Sequence, residues 1–186
     1  MDNKLFWKLL KPVHREAAIF CRRLVGNDDD GDDLYQQALL KAMRGLERLR
    51  DHDAFRPWLY RIIVNQHKNR RRSPWWRRRQ PLTAENIDAI GVTDPRPTHE
   101  HRRQLRQLLT ALSSEDQALV VLYEMEDWSI EQLAVAFDRP EGTIKTRLAR
   151  SRKKLRERFE HDRRKTEQKQ TIGDSAYALP GCDTAD

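Results

Sequence analysis

The sequence contains few cysteines and no long apolar run, and both absences restrict the kind of protein it can be. Its two cysteines, Cys21 and Cys182, lie far apart in a chain of 186 residues. That spacing excludes a disulfide framework or a cysteine-based metal cluster and indicates a reducing compartment. No apolar run approaches the roughly 18 residues that a membrane span needs, and the first residues lack the pattern of a secretory signal. We therefore expect a cytoplasmic protein with no membrane insertion of its own.

Apolar residues are scarce as well, whereas charged residues are abundant. Hydrophobic residues make up 38% of the chain and charged residues 35%, compared with about 25% charged residues in an ordinary domain. Lysine and arginine outnumber the acids by 36 to 29, which gives a formal net charge of +7. This composition does not favour one large core, and the length suits one domain or two small ones.

Apolar residues at intervals of three and four predict an all-α fold. Helices are predicted over 4–25 (interrupted by Pro12), 33–49 and 53–72, with Asp33 as the N-cap of the second. Four prolines and no sustained period mark a linker after the third helix. We therefore predict two small helical domains joined by an extended linker. The predicted divisions are domain 1–72, linker 73–100, domain 101–165 and a disordered tail 166–186.

The C-terminal domain has the sequence pattern of a helix-turn-helix. Residues 129–132 (SIEQ) form a capping box, residues 138–140 (DRP) end the short helix, and a second helix follows over about 140–160. Residues 139–165 contain 12 basic and 4 acidic side chains, as a helix in the DNA major groove would. A solvated basic face is the alternative interpretation. The side chains expected to reach base edges or phosphates are Thr143, Lys145, Thr146, Arg147, Arg150, Arg152 and Lys153.

A second basic segment lies at the end of the N-terminal domain. Residues 66–81 include seven basic side chains and no acid, with Trp75 and Trp76 among them. Basic groups follow a phosphate backbone and aromatic faces stack on unpaired bases. Asn65 and Asn69, one helical turn apart, can hydrogen-bond base edges. The alternative is that the arginines only complement the helix dipole and that the tryptophans pack.

Two segments of the sequence carry a resemblance to a known family. Residues 33–42 (DLYQQALLKA) and 55–65 (FRPWLYRIIVN) are similar to region 2 of a bacterial sigma factor. The segment 112–155, through EGTIKTRL at 141–148, is similar to region 4. Because no further domain is recognisable, the chain resembles the extracytoplasmic-function group of the sigma-70 family.

The resemblance implies a function and a set of contacts. It implies a promoter-specificity subunit, without enzymatic activity or cofactor, that binds core RNA polymerase, recognises the −35 and −10 promoter elements and promotes melting of the promoter DNA. An anti-sigma factor is an implied partner, and the linker would follow the RNA channel of the polymerase. The implied contacts with core polymerase are Asp33, Leu34, Gln36, Gln37 and Lys41. The implied contacts with the −10 element are Trp58, Tyr60, Asn65, Lys68, Asn69, Arg71 and Arg72. The helix-turn-helix residues given above would read the −35 element.

The chain departs from the family pattern at three places. The family usually has Gln-Glu where this chain has Gln36 and Gln37, and an aromatic residue where Leu39 stands. We expect the first of these changes to alter the affinity for core polymerase. The run RSPWWR at 72–77 is also unusual and bears on the shape of the −10 loop.

Two other functions are alternatives to this interpretation. A free-standing helix-turn-helix regulator would need a dimer to read two half-sites, and the sequence offers no dimer seam. A nuclease would have to use His67, the HEH triplet at 99–101 or the acidic turn 28–33. No metal-ligand spacing or nucleophile–base pair supports that chemistry.

Overall fold

The computed structural model describes residues 3–73, 104–105 and 107–176, with side chains described as far as residue 164. No strand occurs among these residues, which confirms the all-α prediction. None of the described helices is long and apolar enough to cross a bilayer. The elements are α1 (Asn3–Leu10), α2 (His14–Val25), α3 (Asp28–Gly45), a 3₁₀ turn (Leu46–Arg48), α4 (Phe55–Arg72), α5 (Ser114–Met125), α6 (Ile130–Phe137) and α7 (Glu141–Ala176).

The first predicted helix is two helices in the structure. Pro12 has no N–H to donate and disfavours a helical conformation at the residue before it, so α1 ends at Leu10 and α2 starts at His14. Gly26 ends α2 in the left-handed conformation, with φ at 85°, and its N–H donates to the Arg22 carbonyl at 2.7 Å. A glycine adopts this conformation without a steric penalty.

The start of α3 differs from the prediction that Asp33 caps it. The cap is Asn27, whose side-chain oxygen accepts from the N–H of Asp30 at 2.7 Å, and the acids of the turn form the first turn of the helix. Carboxylates are favourable there because the helix dipole is positive at its N-terminus. Gly31 allows α2 and α3 to pack closely, since a Cβ at this position would lie 2.5 Å from the Cα of Arg22.

The N-terminal domain is built around α4. Phe55, Leu59 and Ile63 recur at intervals of four and are fully or almost fully buried. The Phe55 ring meets Phe6 of α1 edge to face, with ring centres 5.9 Å apart. This anchors one side of α4 in the core and leaves its other sides for contacts outside the domain.

The C-terminal domain confirms the predicted helix-turn-helix. Ser129 and Gln132 form the reciprocal capping box: the Ser129 hydroxyl accepts from the Gln132 N–H, and the Gln132 side chain accepts from the Ser129 N–H. Asp138, in the left-handed conformation, ends α6. Ile144 and Leu148 then hold α7 against the domain with their buried side chains.

The last helix is longer than the sequence indicates. The sequence predicts an end near residue 160 and a disordered tail from residue 166, but α7 continues to Ala176. Residues 161–172 contain no proline or glycine and are rich in lysine, arginine, glutamate and glutamine, which favour helix. The predicted linker 73–100, apart from Ser73, and the tail beyond 176 lie outside the described residues.

The two domains pack against each other. Helix α4 contacts α5 and α6, and α2 contacts α5. The buried apolar side chains of both domains form one continuous cluster, although the composition led us to expect no single large core. The cluster becomes continuous because the Trp128 ring, from the turn before α6, packs on Tyr60 of α4 with ring centres 4.7 Å apart.

Candidate polymerase and nucleic-acid interfaces

The outer face of α3 is polar and accessible. Asp33, Gln36, Gln37 and Lys41 are all exposed there, at spacings that place them on adjacent turns of one helix face. Leu34 was expected in the same contact set, but its side chain is completely buried. Leu34 therefore holds α3 in the domain, and the contact surface is made by its polar neighbours.

Leu40 was missed as part of this face. Its side chain is 56% exposed, and it follows Gln36 by four residues and Gln37 by three, so the three side chains adjoin. One exposed apolar side chain does not by itself mark an interface, so the position of Leu40 beside Gln36 and Gln37 is what assigns it to this face. The sequence did contain a signal for its exposure, because Leu40 lies outside the apolar stripe of α3 to which the buried Leu34 and Ala38 belong.

One side of α4 brings together several of the residues predicted for the −10 element. Asn65, Asn69 and Arg72 are exposed, and Trp58 and Lys68 are half-buried. At 100° per residue these positions fall within about a third of the helix circumference. Trp75, Trp76 and the arginine triplet after them lie outside the described residues, so the prediction for that segment stays a prediction.

Tyr60 and Arg71 point elsewhere. The Tyr60 ring is completely buried, between Phe20 and Trp128. Arg71 donates through Nη1 to the Leu112 carbonyl at 3.1 Å and to Oε1 of Gln117 at 3.2 Å. Both side chains face the C-terminal domain and are not open to nucleic acid in this conformation.

The outer face of α7 carries most of the predicted −35 residues. The side chains of Thr143, Lys145, Thr146, Arg150, Arg152 and Lys153 are exposed. The Thr146 hydroxyl donates to the Gly142 carbonyl at 2.8 Å, and Lys145 lies 3.3 Å from Glu141 in an exposed pair. Exposed pairs of this kind contribute little free energy, so these groups remain available to a polyanion.

Arg147 is more buried than the exposed residues beside it and makes ion pairs with α5 of its own domain. Its Nε donates to Asp116 at 2.8 Å, and its Nη1 lies 3.2 Å from Oε1 of Glu115. Asp116 is itself part of the N-cap of α5, since the Ser113 hydroxyl accepts from its N–H. Arg147 thus fixes α7 against α5. Arg152 makes a related but more exposed pair with Glu124 at 2.6 Å.

The junction of α4 with the C-terminal domain also contains a buried histidine. His67 is 4% exposed, and its Nε2 has no hydrogen-bond partner among the described residues. Burial lowers the pKa of His67 to about 4, and the neighbouring charge of Arg71 acts in the same direction. The imidazole is therefore neutral at physiological pH.

The described residues contain no group of three or more His, Cys, Asp or Glu side chains placed to hold a metal ion. Within the acidic turn, Asp30 is paired with Arg70 at 2.7 Å and also belongs to the cap of α3. The HEH triplet at 99–101 lies outside the described residues. The acids of the turn thus have a structural explanation.

Comparison with known families gives two matches in the order of the two domains. Residues 9–77 match the family model Sigma-70 region 2. Residues 102–155 match the family model Sigma-70, region 4.

Curated relatives extend the similarity over most of the chain. The ECF RNA polymerase sigma factor SigM of Mycobacterium tuberculosis is 33% identical over 154 residues, covering 83% of this chain and 76% of the relative. The ECF RNA polymerase sigma-E factor of Escherichia coli is 30% identical over 165 residues, covering 83% of this chain and 86% of the relative.

Two solved structures share the fold. CnrH in complex with the cytosolic domain of CnrY aligns with a TM-score of 0.58 at 21% identity, covering 84% of this chain and 88% of that one. The sigma factor RpoE in complex with the anti-sigma factor NepR, from Bartonella quintana, aligns with a TM-score of 0.57 at 24% identity, covering 82% and 94%.

Proposed function

The chain belongs to the extracytoplasmic-function group of the sigma-70 family, and on that premise we propose which of its surfaces binds core polymerase and which bind promoter DNA. As a sigma subunit it binds core RNA polymerase, recognises the −35 and −10 elements and promotes DNA melting. The assignment of individual residues, and of residues 1–72 and 101–165 as the −10 and −35 domains, is our proposal.

Core polymerase binds the outer face of α3. The exposed Gln36, Gln37 and Lys41 supply polar contacts, and Leu40 supplies an apolar contact that a partner would cover. Asp33 lies 3.8 Å from Arg70 and is otherwise open, with its side chain 64% exposed. A glutamine at 37 in place of the usual acid removes one charge from this face, and we expect a weaker ionic contribution to binding there.

The −10 element binds the exposed side of α4. Asn65 and Asn69 present amide groups that can hydrogen-bond base edges, and Lys68 and Arg72 flank them with positive charge. Strand separation and base flipping cost a few kcal/mol, and contacts to each unstacked base return about 1–3 kcal/mol. The half-buried Trp58 on the same side offers an aromatic face for such a base.

The −35 element binds the outer face of α7. Lys145, Thr146 and Arg150 lie in its first three turns, the part of a recognition helix that enters the major groove. The observation that carries the whole proposal is that the exposed faces of α3, α4 and α7 coincide with three surfaces that a promoter-specificity subunit needs.

The test is reconstitution with bacterial core polymerase and run-off transcription from a promoter library. Asn65→Ala should retain core binding but reduce permanganate reactivity of the −10 region, whereas Asn3→Ala, an exposed asparagine on α1, should not. Arg150→Ala should weaken −35 recognition more than Arg158→Ala, which removes the same charge further along α7. Duplex binding by the protein alone, without any binding to core, would refute the proposal and support a free-standing regulator.

We extend the proposal to partners and setting. An anti-sigma factor is the regulator that we propose, because the RpoE structure that shares this fold is bound to the anti-sigma factor NepR. The work of a sigma subunit places the chain with the polymerase in the cytoplasm. It requires binding and strand separation but no covalent chemistry, so the chain is a regulatory subunit and not an enzyme.

A further inference from the structure

The first helix carries an exposed basic and aromatic face that the surfaces described so far do not include. Residues 3–15 contain four lysine or arginine side chains and no acid. At 100° per residue, Trp7, Lys11, Lys4 and Lys8 fall in that order within about 100° of the helix circumference. Lys11 follows the last residue of α1, and its N–H donates to the Trp7 carbonyl at 3.0 Å, which continues the helical turn. All four side chains are exposed, and we name this set the α1 patch.

The three lysines of the α1 patch are not neutralised by nearby acids. In the part of the chain that the structure describes, no carboxylate forms an ion pair with any of them. Other cations of the same domain are paired: Arg22 lies 2.8 Å from Asp32, and Arg56 lies 3.0 Å from Glu16. A group of unpaired cations creates a positive potential that attracts a polyanion.

Trp7 is held in place by the domain and still presents an open ring. The side chains of Phe6 and Leu10 are each 1% exposed and anchor α1 in the core. The Trp7 ring meets the Phe6 ring edge to face, with centres 5.7 Å apart, yet Trp7 is 51% exposed. An aromatic face flanked by lysines is the combination that binds single-stranded nucleic acid, because bases stack on the ring and phosphates meet the cations.

A row of aromatic rings connects Trp7 with the side of α4 that we propose for the −10 element. The Phe6 and Phe55 ring centres are 5.9 Å apart, and those of Phe55 and Trp58 are 5.8 Å apart. Trp58 is at the N-terminal end of that side of α4, and Arg72 is about 21 Å further along the helix axis. A DNA strand that lies along this side and passes Trp58 therefore approaches the α1 patch next.

Other kinds of partner fit the α1 patch less well. Tryptophan and lysine also occur in helices that lie on a membrane surface, but such a helix inserts a broad apolar face into the lipid. The apolar face of α1 is already used, because Phe6 and Leu10 are buried in the domain. The centre of a protein interface is depleted of charge, whereas this patch has three lysines around one aromatic ring.

We propose that the α1 patch binds the unpaired promoter strand beside the −10 element, with Trp7 stacked on a base and Lys4, Lys8 and Lys11 on phosphates. This proposal rests on the proposed sigma function and on the position of the −10 contacts along α4. Stacking and phosphate contacts tolerate any base, so the patch adds affinity for melted DNA without narrowing the choice of sequence. Asn3 is not part of the patch, because it lines a groove with Phe6 and Met43.

The first experiment measures binding of single-stranded DNA by holoenzyme assembled with the full chain. Fluorescent oligonucleotides carry the −10 element found with the promoter library, either alone or with a few extra nucleotides at one end or the other. For the wild type, an extension at one of the two ends should tighten binding about five- to tenfold. Trp7→Ala should lose this gain and Trp7→Phe should keep most of it, whereas affinity for the −10 element alone should not change. Phe159→Ala is the matched control, because it removes a 52% exposed aromatic side chain from α7.

The second experiment tests the three lysines by the salt dependence of the same binding. Each phosphate contact to a single strand adds about 0.7 to the slope of log affinity against log salt concentration. Replacing Lys4, Lys8 and Lys11 together by glutamine should therefore lower this slope by about 2 on the extended oligonucleotide. The slope on the −10 element alone should stay as in the wild type. All three side chains are exposed, so the melting temperature should also be unchanged, which verifies that the variant is folded.

Three results would overturn this inference while leaving the proposed function intact. The first is an equal gain from the extension in wild type and Trp7→Ala. The second is weaker holoenzyme formation by Trp7→Ala with unchanged DNA affinity, which would assign the patch to polymerase. The third is Trp7-dependent binding of the full chain to vesicles of anionic lipid, again with unchanged DNA affinity. A wild-type chain that neither assembles with core polymerase nor supports transcription would instead refute the proposed function, and this inference with it.

Discussion

Acidification should destabilise the protein through His67, and the effect can be separated from other acid effects by a single substitution. His67 lies at the contact of α4 with the C-terminal domain, beside Arg71 and Gln117. Protonation would place a cation in a buried site that already contains a guanidinium. The folded protein therefore contains the neutral imidazole, whereas the unfolded chain takes up the proton at an ordinary pH.

The magnitude follows from the two pKa values. Burial lowers the pKa of His67 from 6.5 to about 4 in the folded protein. Since the folded pKa is the lower one, the unfolded state takes up the proton first as the pH falls, and stability is lost between about pH 6.5 and pH 4. A difference of one pKa unit corresponds to about 1.4 kcal/mol. Between pH 7 and pH 5 the loss should be about 2 kcal/mol.

The assay compares urea unfolding at the two pH values in wild type and in His67→Asn, which cannot take up a proton. The wild type should lose about 2 kcal/mol more than the variant over this range. His52→Asn is the control, because it removes a histidine from an exposed position and should leave the pH dependence of the wild type unchanged. The imidazole proton resonance that disappears in His67→Asn identifies this residue for direct titration by NMR.

Two results would refute this reasoning. Equal losses in wild type and His67→Asn would show that the imidazole is not held neutral by burial. A directly titrated pKa near 6.5 would show that water reaches the ring, and that the interface around it is more open in solution than the structure indicates.

Three further changes test individual contacts. Gly31→Ala should lower the melting temperature and cost about 1–3 kcal/mol of stability, because the added Cβ would meet the backbone of α2. Gly142→Ala should be neutral or stabilising, because a Cβ at that position would have no neighbouring atom within 4 Å. Equal melting temperatures of the two variants would contradict this prediction. Ser129→Ala should destabilise the C-terminal domain by about 1 kcal/mol through loss of the capping box, and unchanged urea unfolding would show that the cap is dispensable. Arg147→Ala should cost about 1–3 kcal/mol of folding stability, whereas Arg150→Ala should reduce DNA binding alone. Similar stability in both variants would show that the ion pairs of Arg147 with Asp116 and Glu115 do not stabilise the fold.

Most helices and their capping signals could be predicted from the sequence, although the first predicted helix is divided at Pro12 and the last continues to Ala176. The capping box at Ser129 and the break before Pro140 depend only on neighbouring residues, and both are where the pattern predicts them. Periodicity also separated Leu59 and Ile63 as core positions from Asn65 and Asn69 as exposed positions on α4. Local signals were ambiguous where two were available, as at the start of α3, where Asn27 and Asp33 can both act as N-caps.

The tertiary structure alone decided which polar side chains are free. The resemblance predicts that Tyr60 and Arg71 contact the −10 element, yet both side chains contact the C-terminal domain in this structure. Arg147 has the spacing of a base-reading residue but pairs with Asp116 of α5. These outcomes depend on contacts between residues more than 30 positions apart, which arise from the angle and distance at which helices pack. A periodic pattern places a side chain on a helix face, and only packing decides what that face meets.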